Sequence, residues 1–183
     1  TIHSATKYLG GHSDIIAGTA TFKTMEDYEL VKLHRTRLGC VLSPFDSYLL
    51  LRSIKTLEVR MERHCKNAEE IVEYLSKHPK VDEVLYPFLK TFPQYDLARR
   101  QIKYGGGMIS FRLYTDEQSK IEAFLNGLKI MKKAVSLGGV ETLIEQPYTM
   151  THRKLPEDEK VRLGITPGLI RLSVGIENVE DLI

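Results

Sequence analysis

The N-terminal stretch of the chain reads Ser4-Ala5-Thr6-Lys7-Tyr8-Leu9-Gly10-Gly11-His12-Ser13-Asp14. One lysine lies between hydroxyl residues and a Gly-Gly turn. An amine in this position can bond covalently to an aldehyde cofactor, and the hydroxyls of Ser4 and Thr6 can donate to phosphate oxygens. The glycines allow the backbone to turn sharply beside such a ligand. The stretch therefore suits a lysine, Lys7, that holds a phosphate-bearing aldehyde.

These residues resemble the Ser-x-Thr-Lys-Tyr-x-x-Gly-His-x-Asp signature of the Cys/Met metabolism family of pyridoxal-phosphate (PLP) enzymes. That family includes cystathionine γ-lyase, cystathionine γ-synthase and methionine γ-lyase. The resemblance implies that Lys7 is the catalytic Schiff-base lysine and that Ser4, Thr6 and Lys7 bind pyridoxal 5′-phosphate. A lysine taken alone is most often a solvated surface charge. The specificity of the assignment comes from the match over the whole stretch.

Composition sets wide limits on function. The chain has 183 residues, of which 42% are hydrophobic and 27% charged, with a formal net charge of +2. These values describe an ordinary globular chain with enough apolar residues for a core. A charge so close to neutral argues against nucleic acid as the main partner, because phosphate-backbone binding needs a concentrated basic face.

The sequence contains no pattern typical of a metal site, a membrane span or a secretory signal. The two cysteines, Cys40 and Cys65, have no metal-ligand spacing and are expected to be reduced, so no metal is predicted. No apolar run approaches the ~20 residues that span a bilayer, and no signal segment opens the chain. The sequence-based expectation is a cytoplasmic protein without a membrane or nucleic-acid partner.

The first part of the chain is predicted to be strand and then helices. Residues 14–22 read as a buried strand. Residues 25–38 read as an amphipathic helix that stops at Gly39. Ser43-Pro44 begins a helical pattern that runs as one or two helices to about His78-Pro79.

The remaining hundred or so residues alternate between strand and helix patterns, which predicts a small α/β domain. The strands are expected at residues 81–86, 108–113, 134–137 and 169–176, and the helices at 95–102, 117–128 and 156–163. Residues 169–176, Leu-Ile-Arg-Leu-Ser-Val-Gly-Ile, place Arg171 on one strand face with Leu169 and Ser173.

Arg171 is the second candidate functional residue. An arginine in a strand is more often a solvated edge residue, but a guanidinium matches a carboxylate with two parallel hydrogen bonds. The Arg-Leu-Ser-Val-Gly motif resembles the family's C-terminal signature, which implies that Arg171 binds the substrate α-carboxylate.

A third stretch, residues 134–147, is similar to the family's Ser-Leu-Gly-Gly-x-Glu-Ser-Leu segment, and Met150-Thr151-His152 matches its Met-Thr-His sequence. The resemblance places Ser136 beside the substrate carboxylate and Val135 against the substrate side chain. We expect Glu141 and His152 to hold this loop by hydrogen bonds to the backbone.

The resemblance covers the entire chain and implies a fold-type I, aspartate aminotransferase-like α/β structure. Residues 1–51 would end the large PLP-binding domain, and residues 52–183 would form the linking helix and the C-terminal α/β domain. We interpret the chain as a piece of a longer polypeptide, with the group that contacts the pyridine nitrogen, the ring-stacking tyrosine and the phosphate loop expected upstream.

The resemblance implies a carbon–sulfur lyase of transsulfuration or methionine metabolism that acts by γ-elimination on a small sulfur amino acid, cystathionine or methionine. Two alternatives stay open: γ-replacement on an activated homoserine, as in cystathionine γ-synthase or a sulfhydrylase, and a non-catalytic scaffold relative. The apolar Val135 favours a simple thioether substrate slightly. The family resemblance also implies a homotetramer built from dimers.

Overall fold

The computed structural model describes residues 1–183 and separates them into two units, Thr1–Glu58 and Val59–Ile183. Each unit has its own sheet. The assignment of residues 1–51 to a larger cofactor-binding domain stays a prediction.

The first unit opens with a two-stranded antiparallel sheet. Strand β1 (Ile2–Ser4) pairs with β2 (Gly18–Ala20), so the chain between them, which contains Lys7, forms a loop closed at its base. The prediction of a buried strand over residues 14–22 is wrong, since β2 is short and mostly exposed. Its Gly and Thr residues supply too little apolar surface to require burial.

Helix α1 (Met25–Leu38) has the predicted bounds. Thr24 accepts a hydrogen bond from the Asp27 amide and caps the helix, and Gly39 ends it in the left-handed conformation with φ of 72°. A residue with a side chain is strained at this φ, which explains the choice of glycine. No residue of α1 is buried, and this includes the predicted apolar side of the helix.

The helical pattern after residue 43 forms two helices, which is one of the two arrangements predicted. Helix α2 (Pro44–Ile54) begins at Ser43, which accepts from the Asp46 amide. Helix α3 (Leu57–Lys77) follows after a two-residue interruption and ends just before His78. The serine cap and the proline in the first turn act as predicted.

The second unit contains a five-stranded sheet in the order β3-β4-β7-β6-β5, with β7 at its centre. The strands are β3 (Val81–Leu85), β4 (Met108–Leu113), β5 (Lys132–Lys133), β6 (Leu143–Glu145) and β7 (Leu169–Ser173). All neighbours are antiparallel except β5 and β6. The helices beside α3 are α4 (Tyr95–Gln101), α5 (Gln118–Gly127), α6 (Glu157–Arg162) and α7 (Val179–Leu182).

The core of this unit lies between the sheet and helices α3 and α5. Alternate sheet residues such as Ile144, Ile170 and Leu172 are buried with Ala68 and Ile71 of α3 in one apolar cluster, which also contains two residues of α5. Because side chains alternate across a strand, Arg171 points to the other face of the sheet. The fold thus commits one face to the core and presents the arginine on the opposite one.

The prediction of a strand at residues 134–137 is wrong. The strand is the shorter β5 just before it, and the chain then enters a loop in which Ser136 adopts φ of 98°. This value lies outside the β region, so the segment cannot continue a ladder. The sequence analysis did not predict strand β6. The strand has only three residues, the last of which carries a carboxylate, so it shows no alternation of apolar and polar side chains.

Candidate functional site

Lys7 lies in a short π-type helical segment, Ala5–Leu9, that is broken at the lysine itself, where φ is −88° and ψ is −128°. The amides of Gly10 and Gly11 close the segment by donating to the main-chain oxygens of Ala5 and Lys7, at 2.8 and 2.7 Å. The break turns the Lys7 backbone away from the helical path. Lys7 is therefore the residue of this segment whose backbone is not helical.

Gly10 is required by this packing. A Cβ at position 10 would lie 2.7 Å from the Ala5 oxygen and 2.9 Å from the side chain of Ile15. Any larger residue would force the turn open, because contacts of under about 3 Å are not tolerated between a Cβ and a backbone atom. The glycine therefore acts by allowing the close approach of two backbone segments.

The two hydroxyls near Lys7 have different environments. The Thr6 hydroxyl accepts from the Ala17 amide at 2.9 Å and donates to the Ala17 oxygen at 3.3 Å, which ties the turn to the chain that returns to β2. Ser4 is exposed and makes no capping hydrogen bond. An amine flanked by hydroxyl donors fits the phosphate and aldehyde of PLP. The phosphate-binding roles of Ser4 and Thr6 stay predictions.

The Gly-Gly-His part of the turn contacts helix α2. His12 Nδ1 lies 2.7 Å from the Gly10 oxygen and 3.3 Å from the hydroxyl of Ser53. Ser53 is buried and lies within α2. The Ser53 hydroxyl therefore provides a polar contact between α2 and the lysine loop.

Arg171 is positioned by the central strand of the second unit. It lies in β7 directly opposite Ser110 of β4 and Glu145 of β6. Its Nη1 lies 2.8 Å from Glu145 Oε1 and its Nη2 donates to the Ser136 oxygen at 2.8 Å. The side chain is 23% exposed, whereas that of Glu145 is 1% exposed. A partly exposed guanidinium held at two points can present its other hydrogens to a carboxylate.

Ser136 and Val135 lie in the loop that follows β5. The carbonyl of Ser136 faces Arg171, and Val135 is 53% exposed beside it. The structure thus brings Ser136 into contact with Arg171 and leaves the adjacent apolar side chain accessible. Non-glycine residues at positive φ are concentrated at functional sites, since the surrounding structure must impose them.

The same loop is held from two directions. The Gly138 amide donates to the hydroxyl of Ser173, and the Glu177 carboxylate accepts from the amide and hydroxyl of Thr142. Glu141 was expected to hold the loop, but its side chain is exposed and Glu177 does so in its place. Glu177 lies far along the chain, after β7, so no local pattern could have revealed it.

Helix α3 stabilises the segment that follows β7. His64, which is buried, contacts the Val174 oxygen through Nδ1 at 2.6 Å, and the Asn67 amide donates to the oxygens of Gly175 and Glu177. Burial lowers the pKa of His64, an effect opposed by the hydrogen bond to Val174. A neutral imidazole therefore holds the chain end that carries Glu177.

The face of the sheet opposite Arg171 contains an apolar cavity of about 740 Å³. It is lined by the core residues Phe111, Ile144 and Leu172 and by the exposed Phe124, among others. Its walls lack a carboxylate, and its position is separate from the arginine. No group of three or more His, Cys, Asp or Glu residues has the arrangement of a metal site, and no helix is both long and apolar enough to cross a bilayer.

The predicted residues fall in both units. Lys7, Ser4 and Thr6 lie in the first unit, and Val135, Ser136 and Arg171 lie in the second. The sequence analysis missed Glu145, although it lies in the same stretch as Ser136, residues 134–147, because its contact with Arg171 is made across two strands.

The comparisons with known proteins agree with the resemblance. The family model described as "Cys/Met metabolism PLP-dependent enzyme" matches residues 1–183. Among curated proteins, the chain is 50% identical to a cystathionine beta-lyase of Coxiella burnetii, over 98% of this chain and 46% of the relative. It is 50% identical to an L-methionine gamma-lyase of Fusobacterium nucleatum and 48% identical to a cystathionine gamma-lyase of Dictyostelium discoideum, covering 100% of this chain and 46% and 47% of theirs.

Solved structures give the same result for the fold. A cystathionine gamma synthase from Xanthomonas oryzae pv. oryzae, in complex with aminoacrylate and cysteine, matches with a TM-score of 0.94 at 42% identity, over 99% of this chain and 46% of that one. A cystathionine gamma-lyase from Lactobacillus plantarum complexed with L-serine matches with a TM-score of 0.91 at 40% identity, over 99% and 47%. The chain spans about half the length of the relatives it matches, and the expected fold-type I architecture is confirmed.

Proposed function

We propose that this chain, which belongs to the Cys/Met metabolism family of PLP-dependent enzymes, is part of a carbon–sulfur lyase that acts by γ-elimination on methionine or cystathionine. The observation that carries the proposal is the partly exposed guanidinium of Arg171, held at two points on the central strand. An enzyme for free amino acids needs such a fixed cation for the α-carboxylate.

In the proposed reaction Lys7 has two roles: it would hold the cofactor, and it would then transfer protons. Lys7 would hold the cofactor through its amine, and the free amine would then remove the substrate's Cα proton and later move a proton at Cβ, so that the γ-substituent could leave. When bound, the cofactor supplies a conjugated ring that accepts the negative charge developed at Cα. The amine must be neutral for the first of these steps.

Arg171 and Ser136 would orient the substrate. The two hydrogen bonds from a guanidinium to a carboxylate fix the plane of that carboxylate, and this fixes the direction of the Cα–H bond. Val135 would contact the substrate side chain, and its apolar surface favours the methyl thioether of methionine over a second ammonium group.

Two other activities have specific support. The relatives include a cystathionine beta-lyase, and the solved structures include a cystathionine gamma synthase. The products separate the three reactions. With water, γ-elimination yields 2-oxobutanoate, ammonia and a thiol, and β-elimination of cystathionine yields pyruvate, ammonia and homocysteine. γ-Replacement joins the sulfur of cysteine to an activated homoserine and releases the activating group as a carboxylate. Product analysis of the full-length protein with each substrate assigns the activity, and pyruvate as the main keto acid would overturn γ-elimination.

A scaffold role without catalysis is tested through the lysine. The full-length protein is reduced with borohydride in the presence of PLP and digested, and the labelled peptide is identified by mass. A pyridoxyl group on Lys7 supports the enzymatic proposal. A folded protein with unlabelled Lys7 would reject it and favour the scaffold. We further propose a cytoplasmic homotetramer, because the family resemblance implies this assembly; sedimentation of the full-length protein measures it.

A further inference from the structure

We propose that Glu145 is a positioning residue that orients the guanidinium of Arg171 for the substrate α-carboxylate, and that Thr151 in turn orients Glu145. The inference rests on the proposed function, in which Arg171 binds that carboxylate. Neither residue is expected to touch the substrate. Their effect is exerted through the plane in which the arginine presents its remaining hydrogens.

The first observation is the placement of the pair. Glu145 and Arg171 are direct cross-strand partners on β6 and β7, so their side chains leave the same face of the sheet side by side. The Nη1 to Oε1 distance is 2.8 Å, which is that of a charge-assisted hydrogen bond. Since the carboxylate is 1% exposed, solvent does not compete for this contact.

The second observation is the number of donors that remain on Arg171. A guanidinium has five N–H groups in one plane. One on Nη1 contacts Glu145 and one on Nη2 donates to Ser136, while Nε is buried and has no hydrogen-bond partner. With both terminal nitrogens fixed, the guanidinium cannot rotate, and its other terminal hydrogens keep one direction. Two parallel bonds to a carboxylate need this fixed plane.

The third observation concerns the carboxylate. Glu145 Oε1 accepts a second hydrogen bond, from the Thr151 hydroxyl at 3.0 Å, while Oε2 is buried and unpartnered. An unsatisfied buried carboxylate oxygen is costly, so this pair is a poor device for stability alone. Both good contacts are concentrated on the one oxygen that faces Arg171, as expected of a group that holds the arginine.

Thr151 connects this pair to the Met-Thr-His sequence. Its hydroxyl has a single hydrogen, which it donates to Glu145, so the His152 Nδ1 at 3.0 Å must supply the hydrogen for the contact between Thr151 and His152. His152 therefore orients Thr151, Thr151 orients Glu145, and Glu145 orients Arg171. The Met-Thr-His sequence has no catalytic assignment. Through this series of contacts it would help to orient the substrate.

The test uses the full-length, PLP-loaded protein and two small amines, glycine and methylamine. Dissociation constants are measured from the change in cofactor absorbance, without turnover. In Glu145→Ala we expect the constant for glycine to rise by about 10- to 100-fold, which is the size of the loss when a residue that orients a metal ligand is removed. The constant for methylamine, which has no carboxylate, should stay within about 2-fold because it does not use Arg171.

Two further variants distinguish the hydrogen bonds that orient Arg171 from the negative charge of Glu145. Glu145→Gln keeps an acceptor for Nη1 and should stay within about 3-fold of the parent for glycine. If Glu145 acts only by its charge, this variant would bind glycine more tightly than the parent does, which would overturn the inference. Thr151→Val keeps the shape of the side chain and removes the donor, and we expect a rise of about 3- to 10-fold for glycine alone.

The matched control is Glu141→Ala. Glu141 is an exposed glutamate in the loop that contains Ser136, and we expect no change in either dissociation constant. Equal shifts for glycine and methylamine, or no shift in Glu145→Ala and Thr151→Val, contradict the inference. If Glu145→Ala does not fold, Thr151→Val and Glu145→Gln decide the question. Arg171→Ala identifies the cause of a failure, because unchanged glycine binding in that variant rejects the proposed function itself.

Discussion

Arg171 donates from Nη2 to the main-chain oxygen of Ser136 over 2.8 Å, and Ser136 directs this oxygen toward the arginine with φ of 98°. The contact therefore depends on a backbone conformation that is unfavourable for a residue with a side chain. Such a residue at positive φ costs about 1–3 kcal/mol. The orientation of Arg171 has a conformational cost at the loop.

Replacing Ser136 with glycine removes this strain. We expect Ser136→Gly to raise the free energy of unfolding by about 1 kcal/mol, because the relief exceeds the entropy that glycine adds to the unfolded chain. Urea denaturation of the full-length protein measures the change. The control is Ser110→Gly in the regular strand β4, which we expect to lower stability by ~1 kcal/mol. A loss of stability in both variants would show that the φ of Ser136 is not strained.

Arg171 itself is tested with lysine and alanine. Lysine keeps the charge but forms no pair of parallel hydrogen bonds, so Arg171→Lys should raise the dissociation constant for glycine about 10-fold, or ~1.4 kcal/mol. Arg171→Ala should raise it about 100-fold, or ~2.8 kcal/mol.

The yellow colour of the bound cofactor should persist in both arginine variants, since Arg171 is assigned to the substrate. Absorbance spectra and the glycine titration are recorded on the same samples. Loss of the colour with glycine binding retained would show that the roles of Arg171 and Lys7 are misassigned.

Val135 is proposed to set the preference between thioether substrates. Val135→Glu places a carboxylate where the second ammonium of cystathionine can pair with it. Because the position is 53% exposed, the pair is worth only ~0.5–1 kcal/mol, so the ratio of kcat/KM for cystathionine over methionine should rise about 2- to 5-fold. The neutral Val135→Gln is the control for size and polarity. Unchanged ratios in the glutamate variant would reject contact with the substrate side chain.

The buried His64 predicts a dependence of stability on pH. Burial lowers the pKa of this imidazole in the folded chain, so the folded state resists a proton that the unfolded state accepts at about pH 6.5. The contribution of His64 is therefore complete above that pH and is lost as the pH falls below it, with a limiting slope of ~1.4 kcal/mol per pH unit.

His64→Gln removes the titrating group and keeps a donor for the Val174 oxygen. We expect the stability of this variant to fall less steeply between pH 7 and pH 5 than that of the parent. Denaturant midpoints at several pH values measure the difference. Parallel curves for the two proteins would mean that His64 titrates alike in the folded and unfolded states.

Local signals in the sequence predicted much of the structure. The bounds of α1 follow from Thr24 and Gly39, and the start of α2 follows from Ser43-Pro44, because caps act within one turn of the backbone they satisfy. The family resemblance likewise rested on short stretches, around Lys7, Ser136 and Arg171. The residue types around Lys7 and Arg171 suit a phosphorylated aldehyde and a carboxylate.

Only the tertiary structure decided how Arg171 is held. Its contacts with Glu145 and Ser136 join three separate segments, and Glu177 holds the loop of Ser136 from beyond the end of β7. Such contacts depend on which strands pair and in which register, and neither is encoded within a few residues of the side chains involved. The sequence by itself determined the chemical groups of the site, while strand pairing determined their orientation.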